Sequence, residues 1–165
     1  MIAEVEQTLK GVVVRFERLW KHSVQNVWSY LTDNDKLKWW FPELEVIELD
    51  TGGVIRFDMQ DGTFEEMKIT EVQANSVLEF TWGEDLVRFE LYPETEGCRL
   101  LLLESIGRVT SHTPKDVAGW HVCLRVIEEL LDGRTVEPRT EEWQHWYEKY
   151  KLLFQRYIST NENEL

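Results

Sequence analysis

Between Glu43 and Gly107 the chain is interrupted every ten to thirteen residues by a turn-forming cluster: Thr51-Gly52-Gly53, Asp61-Gly62, Ala74-Asn75-Ser76, Gly83-Glu84-Asp85 and Glu96-Gly97. Glycine and asparagine adopt positive φ readily, and such clusters between alternating segments mark hairpins. The segments do alternate. Ile55, Phe57 and Met59, then Met67 and Ile69, then Leu78, Phe80 and Trp82, then Val87, Phe89 and Leu91 form apolar sets, with Arg56, Asp58, Lys68, Glu79, Arg88 and Glu90 between them. A period of two directs one set to a core and the other to water, which predicts an antiparallel meander of six strands with one wet face. In the last segment Leu100 to Leu103 is continuously apolar, so both of its faces are expected to be covered.

The meander also concentrates the charge. Residues 43 to 104 hold 16 acidic and 4 basic side chains, so they carry −12 of the net −13 of the 165-residue chain. An acidic surface of this kind repels phosphate backbones and anionic headgroups, so neither nucleic acid nor a membrane is an expected partner. The first residues, MIAEVEQTLKG, contain two glutamates and no apolar run, and no stretch approaches the length of a membrane span. Cys98 and Cys123 cannot form a disulfide framework, so the expected setting is cytoplasmic, with reduced thiols.

Helical patterns flank the meander. After a first strand from Gly11 to Trp20, Ser23 reads as an N-cap, with Val24, Val27, Trp28 and Leu31 on one helical face. Asp33 caps a second short helix leading to Trp39-Trp40-Phe41-Pro42. After the meander, Thr113-Pro114-Lys115-Asp116 supplies a capping hydroxyl, proline at the first helical position and an early acid. That helix is expected to run to about Leu131 and stop near Gly133, with His121, Arg125, Glu128 and Asp132 as its polar stripe. A final helix, capped by Thr140 and spanning about 139–157, carries Trp143, Trp146, Tyr147, Tyr150, Leu153, Phe154 and Tyr157 at helical spacing; residues 158–165 are expected to fray. The aromatic stripe is expected to pack in the core or to form a homodimer contact. All 165 residues are read as one domain with its core over 11–132.

The order strand, two short helices, six-stranded meander, long helix is that of an α+β helix-grip fold. The stretch Val27-Trp28-Ser29-Tyr30-Leu31-Thr32-Asp33, followed by Leu37-Lys38-Trp39-Trp40-Phe41-Pro42, resembles a signature of the activator-of-Hsp90-ATPase-homologue-1-like branch of the START/Bet v 1 (SRPBCC) superfamily. Gly52-Gly53 with Ile55 and Phe57 is similar to that family's hairpin, Leu78 to Trp82 to one of its strands, and Ala118 to Leu124 to its long helix. The resemblance covers roughly residues 11 to 157. It implies a curved antiparallel sheet around a long helix with an apolar cavity between them. It does not imply one chemistry, because one fold carries many functions.

The residues offer few catalytic arrangements. There is no CxxC, HExxH or paired HxxxH, and His121 and Cys123 lie two apart on a helix, so no metal and no cofactor are expected. Nucleophile-elbow, phosphate-loop and dinucleotide motifs are absent. Cys123, mid-helix among Trp120, Leu124 and Ile127, has no cationic neighbour to stabilise a thiolate and reads as inert. Glu104 is the weak catalytic candidate. If Leu100 and Leu102 face inward, alternation sends Glu104 inward as a ligand anchor or general base; with the opposite parity, or at a wet strand end, it is solvated. Trp39, Trp40 and Phe41 either rim a cavity or pack the short helices on the sheet.

The leading expectation is therefore a module that binds a small apolar or aromatic molecule, lipid-like, polyketide-like or flavonoid-like. Its pocket walls would be Phe57, Met67, Trp82, Phe89, Leu102, Trp120, Cys123, Leu124 and Ile127, with Trp39, Trp40 and Phe41 at the opening. Two other expectations stand beside it. One is a co-chaperone-like protein contact through the acidic meander face, involving Glu79 and Glu90. The other is a cyclase or isomerase using Glu104 or His121.

Overall fold

Hairpins at the expected clusters organise one antiparallel sheet in the computed structural model, which describes residues 1–136 and 138–162, with side chains as far as Ile158. The elements are β1 (Glu4–Thr8), β2 (Gly11–Trp20), α1 (Val24–Thr32), α2 (Asn34–Leu37), β3 (Leu44–Glu48), β4 (Val54–Asp58), β5 (Phe64–Gln73), β6 (Val77–Trp82), β7 (Asp85–Glu94), β8 (Gly97–Ile106), α3 (Thr113–Leu131) and α4 (Thr140–Glu162). Eight strands pair in the order β1-β2-β8-β7-β6-β5-β4-β3. The six meander strands are the expected ones.

Strand β1 extends the sheet beyond the seven strands read from sequence. Its side chains are mostly exposed and only Val5 follows an apolar alternation, so the periodicity gives little sign of it. The β1–β2 hairpin turns through Gly11 at φ 145°, where a Cβ would lie 2.0 Å from the Ile106 carbonyl oxygen. Only glycine permits that approach.

Curvature comes from β5. Its first half pairs with β4 and its second half with β6, and the register shifts between Ile69 and Glu71. A bulge there bends the strand and increases its twist. The concave face holds α3. Val117, Ala118, Trp120, Val122, Leu124, Val126 and Ile127 of the helix are buried, as are Phe16, Ile69, Phe80, Phe89, Leu100 and Leu102 of the sheet. This is the α+β helix-grip architecture.

The expected caps at Ser23 and Asp33 form: Asn26 N donates to Ser23 Oγ at 3.1 Å and Asp35 N to Asp33 Oδ1 at 3.0 Å. At α3 the expectation is shifted. The helix begins at Thr113 itself, His112 occupies the cap position, and Pro114 is the second residue. The Thr113 hydroxyl accepts from Thr110 N at 3.0 Å instead of from the helix, because the preceding turn folds back on it. α3 ends as expected at Leu131, with Gly133 at φ 74°.

The polar stripe of α3 is not solvent-facing throughout. α4 lies over it, so His121 is buried at 4 % exposure. Tyr150 and Phe154 of α4 are fully buried. Met59, expected inward, is 46 % exposed because β4 ends at Asp58 and Met59 begins the turn. α4 continues to Glu162, past the end of its aromatic spacing, through a stretch without glycine or proline; residues 163–165 lie outside those described. On β8, Leu101 is buried and Leu103 half-buried on the convex face.

Candidate functional site

The tripeptide after α2 sends its three rings in different directions. Trp40 is buried and donates from Nε1 to the Tyr30 carbonyl at 2.7 Å, which fixes the chain after α2 against α1. Trp39 points to solvent and is 62 % exposed. Phe41 turns toward the sheet, meeting Phe57 of β4 at 5.9 Å, Trp82 of β6 at 6.0 Å and Trp120 of α3 at 5.8 Å between ring centroids. Trp82 and Trp120 are 5.2 Å apart. Tilted and edge-on contacts of this kind are the preferred aromatic geometry.

This aromatic cluster occupies much of the space between helix and sheet and leaves two cavities beside it. The first, about 510 Å³, lies between α3, the Trp40–Glu43 segment and the start of α4, with Trp143 and Arg139 on its far side. Arg139 donates to the carbonyls of Trp40 at 2.8 Å and Trp39 at 3.2 Å, so it ties the approach to α4 to the chain after α2. Gly119 lines the same wall, and a Cβ there would meet nothing within 4 Å. The second cavity, about 680 Å³, opens between the β4, β5 and β6 ends and the loop before α3. Phe57, Trp82 and Asp116 line both.

Polar groups are few but unusual. Trp82 Nε1 donates to Asp116 Oδ1 at 3.0 Å. Glu104, between Val14 and Val87 in the ladder, is completely buried on the concave face. Trp120 Nε1 has no hydrogen-bond partner among the described residues. Burial, and after it a hydrogen bond with the Asp116 carboxyl and the charges of Asp116 and Asp85, hold the Glu104 acid well above the usual carboxylate range. Burial also raises Asp85 and pushes the Cys123 thiol up to about 12, which makes Cys123 a poor nucleophile. Among the described residues no group of three or more His, Cys, Asp or Glu could hold a metal ion, and no helix is long and apolar enough to cross a membrane.

With this geometry, residues 21–132 match the family described as activator of Hsp90 ATPase homolog 1-like protein. The chain belongs to that family. No curated protein matches it. The AHSA1-like chain is similar over 92 % of its length, and 91 % of the other's, to a conserved protein of unknown function, EF2215 from Enterococcus faecalis, at 29 % identity and TM-score 0.78. The BPP1335 protein of Bordetella parapertussis shares the fold at 23 % identity and TM-score 0.70, with 84 % of each chain covered. DynU16, a protein in the dynemicin biosynthetic locus, is 26 % identical with TM-score 0.63, over 73 % of this chain and 47 % of that one.

The residues expected to form the site separate into three groups in the AHSA1-like fold. Trp40, Phe41, Phe57, Trp82, Trp120 and Cys123 line the first cavity, and Met67 lines the second with Phe57 and Trp82. Phe89, Leu102, Leu124 and Ile127 are fully packed in the core and line neither; Trp39 lies outside. Glu104 takes the inward parity but lies behind the lining. Glu43, Asp116, Gly119 and Arg139 are cavity residues that periodicity alone did not single out, and Trp143, expected in the core or at a homodimer contact, lines the first cavity as well. The available signal was Asp116 four residues before Trp120, on the same helical face, with a glycine one position before that tryptophan.

Proposed function

We propose that this AHSA1-like chain binds a small hydrophobic or aromatic molecule, lipid-like, polyketide-like or flavonoid-like, in the cavity beside Trp120. One observation carries this reading: a space of about 510 Å³ is walled by the rings of Trp40, Phe41, Phe57, Trp82, Trp120 and Trp143, with only a few polar groups converging on it. That size and lining suit a small-molecule site. Each 100 Å² of apolar ligand surface removed from water contributes roughly 2.5 kcal/mol before the costs of immobilisation. The relationship to DynU16, a protein of a biosynthetic locus, supports a small-molecule ligand.

The protein-contact reading has less support in the outer face. Its central acids are engaged: Arg88 binds Glu71 at 2.9 Å, Glu79 at 3.1 Å and Glu90 at 2.5 Å. Glu79 and Glu90 are thus partners of an arginine rather than free contacts for a chaperone. The enzymatic reading lacks a reaching group, since Glu104 lines neither cavity.

Titration of the full chain with a panel of apolar and aromatic compounds, followed by tryptophan fluorescence and amide shifts, tests the proposal. The expected result is saturable binding with shifts clustered at Phe41, Gly119 and Trp120. The absence of any saturable binder would overturn it.

A further inference from the structure

The match to the family ends at residue 132, so the wall that Arg139, Thr140 and Trp143 give the first cavity lies outside the matched residues. That wall is tied on both sides. Toward α3, Trp143 Nε1 donates to the Lys115 carbonyl at 3.2 Å and Glu142 is ion-paired with Arg125. Toward the chain after α2, Arg139 Nη1 donates to the Trp40 carbonyl at 2.8 Å and Nη2 to the Trp39 carbonyl at 3.2 Å. Trp143 N donates in turn to the Arg139 carbonyl at 2.8 Å, which couples Arg139 to the first turn of α4. A guanidinium fork spans two successive carbonyls in a way that a point-charge ammonium does not.

The two halves of α4 are held unequally. Tyr150 and Phe154 are fully buried, whereas no residue from Thr140 to Lys149 is. Segments with few buried apolar contacts open locally at much lower free energy than a core. The start of the helix is therefore the part that can move. On the α2 side its ties are hydrogen bonds from a half-buried guanidinium, and water can take the place of either partner at small net cost.

We propose that the first turn of α4 is a strap over the ring-walled cavity and that Arg139 is its catch: release of the Trp39 and Trp40 carbonyls opens the cavity between α4 and the chain after α2. The ties on the α3 side form the pivot, because Trp143 and Glu142 stay on α3 while Arg139 swings away. Entry by this route serves the small-molecule reading above. Opening is measurable without any ligand, so the two readings fail separately.

Cys123 lines the cavity and serves as reporter, and Cys98, buried on β8 away from it, is the control. The full chain is treated with N-ethylmaleimide at mildly alkaline pH, and modification of each cysteine is followed by peptide mass spectrometry. Arg139→Gln is expected to speed modification of Cys123 about tenfold and leave Cys98 unchanged, with Arg139→Lys between Gln and wild type. The Arg139 charge lowers the Cys123 pKa, so its loss alone would slow the thiol, and acceleration therefore reports access. An unchanged Cys123 rate overturns the strap, and so does equal acceleration of both cysteines, which reports loosening of the whole fold. A second measurement needs no variant: in the wild type, the Cys123 rate should rise with urea less steeply than global unfolding followed by circular dichroism, because a local opening exposes less surface. Equal slopes would place Cys123 behind global unfolding and overturn the strap as well.

Discussion

Trp82 Nε1 donates to Asp116 Oδ1 at 3.0 Å, which joins the end of β6 to the first turn of α3 across 34 positions of sequence. The bond fixes a carboxylate where the two cavities adjoin and holds the helix start to the sheet. Trp82→Phe keeps a ring in the aromatic cluster but removes the donor. We expect a loss of about 1 kcal/mol in urea-induced unfolding. An unchanged midpoint and slope would show that the bond contributes nothing to stability.

Gly119 lies inside α3, where glycine is disfavoured, and a Cβ there has open space. Gly119→Ala should therefore raise stability by about 0.5–1 kcal/mol. Since the methyl group enters the first cavity, it should weaken ligand binding in the same protein. A destabilised variant would contradict the open wall, and stabilisation with unaltered binding would place the ligand elsewhere.

Glu104 makes stability depend on pH in a definite direction. Its carboxyl is raised in the folded protein from an ordinary value of 4.5, chiefly by burial. Above 4.5 the unfolded chain releases this proton while the folded chain keeps it, so stability declines as pH rises until the raised value is reached. Glu104→Gln should remove this contribution. The difference in unfolding free energy between variant and wild type should grow in the variant's favour by up to about 1.4 kcal/mol per pH unit above 4.5. Parallel curves would contradict a protonated interior acid.

His121 acts at the acid end. Burial, followed by the nearby Arg18, lowers it from 6.5 to about 3, while its Nδ1 lies 2.6 Å from the Tyr150 hydroxyl, which itself accepts from Ala3 N. Between 6.5 and about 3 the unfolded chain takes up a proton that the folded chain refuses, so stability falls as pH falls through that window. His121→Phe should flatten this slope at some cost from the lost Tyr150 contact. Circular dichroism at a series of pH values would show it, and identical slopes would refute the assignment.

Local signals made much of the fold legible. The turn clusters and alternation located all six meander strands, and Ser23 and Asp33 announced their caps, because these depend on residues a few positions apart. Four ordered motifs carried the family. The parity of Glu104 was left open by alternation alone, and the burial of Leu100 and Leu102 on the concave face decided it. Strand β1 was missed because an edge strand with a single ladder needs no apolar alternation.

The tertiary structure decided what distant elements do to each other. His121 lies on the polar stripe of an isolated α3 and becomes interior only because α4 covers it. Trp39, Trp40 and Phe41 are adjacent and chemically alike, yet one is solvated, one is locked to Tyr30 and one joins Trp82 and Trp120. Phe89 and Leu124 share the inward pattern of Phe57 and Trp120, but close packing fills their space and leaves room beside the others. Periodicity tells which face of an element turns inward. Whether that face meets a neighbour, a cavity or a buried carboxyl group depends on shapes brought together from across the chain.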